Sequence, residues 1–106
     1  MRLMSALFLT VLAAPLPAAA QDYAAQYDAI MMDMHMAMGG GSTGDPDVDF
    51  AAGMIPHHEA AVAMAELLLE HGEDPELRAM AEAIIETQTA EIEMLQAWLE
   101  ENAPEN

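Results

Sequence analysis

Two adjacent histidines follow a methionine and a proline in Met54-Ile55-Pro56-His57-His58-Glu59. Neutral imidazole is the commonest side-chain metal ligand, and burying it costs free energy unless something bonds it. A second group is Met31-Met32-Asp33-Met34-His35-Met36-Ala37-Met38. Met31, Met34, His35 and Met38 stand at helical spacing on one face. Met32 and Met36 occupy another face, which a single packing contact does not explain. The third group is Gln88 and Glu91, with Met94 one turn on. A carboxylate is rarely buried without a partner. Thioether and imidazole donors together suit Cu(I), and imidazole with carboxylate suits Cu(II). A thioether also binds metal without losing a proton and cannot form disulfides.

Helices must position these groups. In the segment holding the two histidines, Phe50, Met54, His57, Ala61, Met64 and Leu68 follow each other in steps of four and three. That pattern predicts a buried seam with His57 inside it. Asp45-Pro46 reads as an N-cap followed by a first-turn proline, and Asp47 and Asp49 suit the positive end of the helix dipole. His71-Gly72 reads as the end, with Gly72 as a left-handed C′ glycine. Pro56 lacks an N–H and crowds the carbonyl of Ala52, so a kink or bulge is expected just before the histidines. Asp74-Pro75-Glu76 repeats the start signal, and a helix to about Glu101 follows, with Pro104 beyond it. Its seam is Leu77, Ala81, Ile84, Gln88, Glu91, Leu95 and Trp98. The methionine cluster lies on an earlier helix, from about Asp22 to Met38. Gly39-Gly40-Gly41-Ser42-Thr43-Gly44 reads as a flexible linker.

The short turn at 72–74 makes the two long helices antiparallel neighbours. Folding about Glu73 sets His57 opposite Thr89, His58 opposite Gln88, and Met54 opposite Ile92, within a turn of Glu91 and Met94. The polar breaks in both seams then fall at one level, which predicts a shared metal or hydrogen-bonded site. Met64 and Met80 sit among Ala and Leu on packed faces, and His71 is a helix-end residue. The fold class expected is all-α: a long antiparallel hairpin plus an N-terminal helix. A hairpin has a thin core, so a second copy completing a four-helix bundle is expected, making a homodimer.

The chain has 106 residues, room for one small domain. Residues 1–20 read as a secretory signal: Arg2, an apolar run from Leu3 to Ala14, and Ala18-Ala19-Ala20 at the cleavage site. The apolar run is too short to span a bilayer. The organisation expected is a signal at 1–20, a methionine-rich helix and Gly-rich linker at 21–44, and the hairpin domain at 45–103. A periplasmic or secreted location follows, with no membrane insertion after cleavage. The chain carries 19 acidic residues against two basic ones, for a formal net charge of −17. Such a surface excludes nucleic acid and anionic membrane as partners and favours metal cations. There is no cysteine, so a disulfide staple is excluded, and stability must come from packing, assembly or a metal. Nine of the 11 methionines lie beyond residue 20.

Asp49-Phe50, Met54-Ile55-Pro56-His57-His58, Ala61-Val62 with Met64-Ala65, and Gln88 through Glu91-Ile92 to Met94 and Trp98-Leu99 resemble the domain of unknown function 305. That family comprises helical, often secreted bacterial proteins with a ferritin-like bundle arrangement. Some members are CopM-type periplasmic copper-binding proteins implicated in copper resistance. The resemblance covers about residues 45–101. It implies Met54, His57, His58 and Met64 as motif positions, with Gln88, Glu91 and Met94 on the partner helix. Met31 to Met38 resembles the copper-binding clusters of such proteins. Larger members carry two such domains in one chain; this chain carries one copy.

The function expected is a copper-binding protein, not an enzyme, that sequesters copper or hands it to an unidentified receiving protein. One alternative is a helical structural or interaction module whose polar seam residues only fix register. A ferritin-like di-iron oxidase fits less well. That chemistry draws on Glu-x-x-His pairs, and no such pair occurs in the chain; Glu91 is followed at that step by Met94.

Overall fold

The computed structural model describes residues 13–104. The expected signal segment therefore lies mostly outside the described residues. Those residues form three α-helices and no strand: α1 (Ala18–Ala37), α2 (Pro46–His71) and α3 (Pro75–Asn102). The all-α hairpin with an N-terminal helix is the architecture expected. Among the described residues no helix is long and apolar enough to cross a membrane.

The helix starts are set locally. The Asp45 carboxylate accepts from the N–H groups of Asp47 at 3.0 Å and Val48 at 3.4 Å. Asp74 Oδ1 accepts from the N–H of Leu77 at 2.9 Å. Each cap satisfies amides that have no partner within the helix, an effect worth about 1 kcal/mol. α1 has no side-chain cap and begins at Ala18, before the expected Asp22. The run Ala18-Ala19-Ala20 extends it, alanine being the strongest helix former.

The turn between α2 and α3 differs from its expected form. Gly72 has φ −84°, which is not left-handed. Glycine is required there by space: a Cβ would stand 2.7 Å from the Leu68 carbonyl oxygen and overlap the Leu68 side chain. Arg78 closes the turn, its Nη1 donating to the carbonyls of Leu69 at 2.9 Å and Gly72 at 2.8 Å.

The linker is not loose along its whole length. Asp49, in the first turn of α2, accepts from Ser42 Oγ at 2.6 Å, Thr43 N–H at 2.8 Å and Thr43 Oγ1 at 2.7 Å. Gly41 and Gly44 take φ of +70° and +90°, the left-handed region open to glycine. The Ser42 and Thr43 donors hold the Asp49 carboxyl at about 2, below its ordinary 3.8. Those bonds favour the charged form.

The buried face of α2 is rotated by one residue from the expected seam. Ala51, His58 and Ala65 are buried, with Ile55, Val62 and Leu69 half-buried between them, while Phe50, His57 and Met64 are exposed. Steps of four and three fit both phases equally. Side-chain size decides between them, because Ala51 and Ala65 let α3 approach where Phe50 and Met64 would hold it off. A second face of α2, with Pro56, Ala60 and Ala63, meets Ile30 and Met34 of α1. In α3 the expected seam is correct from Ala81 to Trp98, but Leu77 is 47% exposed. α1 packs on α2, and its backbone does not approach α3 closely, an open groove lying between the two. No large side chain among the described residues is fully buried.

Candidate metal centre

His58 is the one buried polar residue of the described core, 9% exposed. Its Nε2 lies 2.5 Å from Glu91 Oε2 on α3. An ionised carboxylate only accepts, so this contact places the ring hydrogen on Nε2. His58 Nδ1 and, one turn before Glu91, Gln88 Oε1 are both buried and have no hydrogen-bond partner among the described residues. Buried polar atoms are satisfied in most native structures, so two orphans beside one histidine–carboxylate bond require an account.

His58 therefore bonds a different residue from the one expected opposite it. His58 meets Glu91, three positions further along α3 than Gln88, because the seam of α2 runs through His58 rather than His57. The polar level itself is where the sequence places it: His58, Gln88 and Glu91 come together, and Met54 stands one turn before His58, half-buried.

The other expected site residues lie apart from that core. His57 is exposed; its ring centroid is 6.4 Å from that of His58. Met64 sits on the rim of an open apolar groove with Tyr23, Leu68, Leu77 and Met80. Met94 is 63% exposed although only one turn from Glu91, since it points off the seam. On α1 the expected stripe divides. Met31 and Met34 are half-buried, with Met34 lining the crevice against α2, whereas His35 and Met38 are exposed. Met32 and Met36 are also exposed.

Among the described residues no three His, Cys, Asp or Glu side chains converge as metal ligands. A centre at His58 must therefore draw on thioether or amide donors. One structural role escaped sequence reasoning: Arg78, the sole basic residue of the described chain, closes the turn. Its position one turn after the Asp74 cap was the available signal.

The fold and core define a class: a small all-α protein built on a helical hairpin, with a buried histidine on one hairpin helix bonded to a part-exposed carboxylate on the other. The profile of the domain of unknown function (DUF305) matches residues 47–106, more than half of the chain. The chain belongs to that family. It is also similar to the uncharacterized protein L153 of Acanthamoeba polyphaga mimivirus, at 33% identity over 60 residues. That alignment covers 57% of this chain and 40% of the viral protein.

Proposed function

We propose that this chain is a periplasmic or secreted copper-binding protein that sequesters copper or passes it to a receiving protein, and that it works without catalysis. The observation that carries this reading is the methionine helix. Met32, Met36 and Met38 are 64%, 72% and 48% exposed, beside an exposed His35. Burying a methionine side chain is worth about 1.5–3 kcal/mol, and packing does not account for three left in water on two turns of helix. Soft donors displayed on an acidic protein suit capture of Cu(I), and the His58–Glu91 side adds donors that Cu(II) accepts.

The uncovered side of α3 supports a homodimer. The backbone of α1 does not approach α3 closely, and the apolar groove of about 720 Å³ between them, beside Tyr23, Leu77 and Met80, lies open. A second copy laid there completes a four-helix bundle.

The test of copper binding is competition with a chelator. The protein is expected to hold Cu(I) and Ag(I) more tightly than Zn(II). Replacing Met32, Met36 and Met38 with Leu preserves apolar volume and is expected to lower copper capacity with helicity unchanged. Zinc binding as tight as Cu(I), or a capacity unaltered in the triple variant, rejects this reading.

A further inference from the structure

The thioethers of α1 fall into two tiers. Met32, Met36 and Met38 stand in water. Met31 and Met34 are half-buried, and Met34 lines the crevice with Pro56, Ala60 and Ala63 of α2. The chain has no cysteine, so thioether sulfur is its softest nucleophile toward an electrophilic oxygen. The net charge of −17 repels anionic oxidants and leaves neutral ones free to approach. Oxidation turns a flexible apolar methionine into a polar sulfoxide, which disrupts packed sites. On Met32, Met36 and Met38 the added oxygen is solvated and no packing is lost. On Met34 it must enter an apolar crevice without a hydrogen-bond donor, which costs free energy. One helix thus carries thioethers that can be oxidised harmlessly beside thioethers that hold it to α2.

We propose that Met32, Met36 and Met38 form a reversible oxidation site for a neutral peroxide, and that their conversion to sulfoxides releases soft metal from α1 while the fold stays intact. In each step the sulfur attacks one peroxide oxygen. The O–O bond breaks as the S–O bond forms, and the sulfur gives up two electrons. The departing hydroxide takes the proton of the transferred oxygen and leaves as water. The product offers a hard oxygen where a soft thioether stood, and Cu(I) selects the thioether. A sulfoxide reductase with a dithiol reverses the change: the oxygen leaves as water and the dithiol becomes a disulfide. The release of metal rests on the copper reading above, whereas the order in which the thioethers react does not. Met94, exposed on α3 outside the cluster, is oxidised as readily but without effect on the metal.

Graded exposure of the metal-free protein to hydrogen peroxide, followed by peptide mass mapping, tests the site. Each sulfoxide adds about 16 Da, one oxygen. Met32, Met36 and Met38 are expected to be oxidised before Met31 and Met34, with helicity and melting temperature unchanged at that stage. Ag(I), a redox-stable stand-in for Cu(I), reads the metal in competition with a chelator. Its capacity is expected to fall as it does in the triple Leu variant, and to return after treatment with methionine sulfoxide reductases and dithiothreitol. Further oxidation, once it reaches Met31 and Met34, is expected to lower the melting temperature. Met94→Leu should leave the peroxide-dependent loss of Ag(I) unchanged.

Oxidation of Met31 and Met34 as early as the other three, or a loss of helicity in step with the first oxygens, overturns the site. An Ag(I) capacity unaltered once Met32, Met36 and Met38 are sulfoxides overturns the release and leaves copper binding itself standing. A reduced protein that binds neither Ag(I) nor Cu(I) fails the copper reading and overturns the release with it. That failure is distinct from the others because it appears before any oxidant is added. Mapping and circular dichroism use the wild-type protein, so a variant that fails to fold does not protect the inference.

Discussion

Arg78→Met removes the only cation of the described chain and the clamp on its turn. Two hydrogen bonds are lost, at 2.9 Å to the Leu69 carbonyl and 2.8 Å to the Gly72 carbonyl. A hydrogen bond to a charged group contributes about 1.5–3 kcal/mol. Both bonds come from one nitrogen on a half-buried side chain, so they do not add fully. The carbonyls are those of the last turn of α2, where a positive charge contributes about 0.3–1 kcal/mol against the helix dipole. Methionine keeps the aliphatic stem and its packing, which isolates the guanidinium. The expected loss is about 2–3 kcal/mol, a fall in melting temperature of roughly 10–20 °C for a domain of this size. Thermal unfolding of the full chain followed by circular dichroism measures it. Arg78→Lys should recover less than half, because one ammonium does not reproduce the planar guanidinium between two carbonyls. Added salt should shrink the gap only partly, because hydrogen bonds persist where long-range attraction to the surrounding acids is screened. A loss below about 0.5 kcal/mol, the range of an ordinary surface change, would refute the clamp.

Two further outcomes are expected. The Ser42 and Thr43 bonds lower the Asp49 pKa from 3.8 to about 2, so their contribution is fully present above about 3.8 and is lost as pH falls toward about 2. Carbon-13 titration of the Asp49 carboxyl, followed with the Thr43 amide shift, should show one shared low transition that is absent in Asp49→Asn; an Asp49 midpoint near 3.8 contradicts the tether. Light scattering should give twice the chain mass at micromolar concentration, and added salt should strengthen the dimer because each copy carries a net charge of −17. Leu77→Asp with Met80→Asp should yield monomers, whereas a monomeric wild-type mass with and without copper defeats the assembly.

The parts of the fold legible in the sequence are those written in short-range chemistry. Asp45-Pro46 and Asp74-Pro75 mark helix starts because a carboxylate must find the free amides within three residues. The α3 seam was legible because Ala81, Ile84, Leu95 and Trp98 leave one apolar phase. The α2 seam was not. Its alanines and leucines fill adjacent phases, and the choice between His57 and His58 depends on how close α3 can come. That is a property of the pair of helices, absent from either helix alone. The polar level of the hairpin was legible, since Gln88 and Glu91 interrupt an apolar row, but the partner of His58 was not, because the one-residue rotation of α2 carries His58 to Glu91. The ordering of Ser42 and Thr43 was masked by the glycines around them. Their partner, Asp49, read naturally as a dipole residue of the next helix.

The small side chains of α2 connect these features. Ala51 and Ala65 admit α3 on one face, and Ala60 and Ala63 admit α1 on another. Close approach on two faces turns the larger Phe50 and Met64 outward, and it brings His58 within reach of Glu91. The same choice limits the apolar area each contact buries, because an alanine offers little to remove from water. The core is therefore thin, and an open apolar groove beside α3 is its consequence. The His58–Glu91 bond joins α2 to α3 at the level where apolar packing is interrupted. A second copy would cover the groove near the other end, beside Leu77 and Met80. The two devices act at different heights of one hairpin. Loss of the His58–Glu91 bond should therefore loosen that level without dissolving the dimer, and loss of the dimer should leave the bond formed.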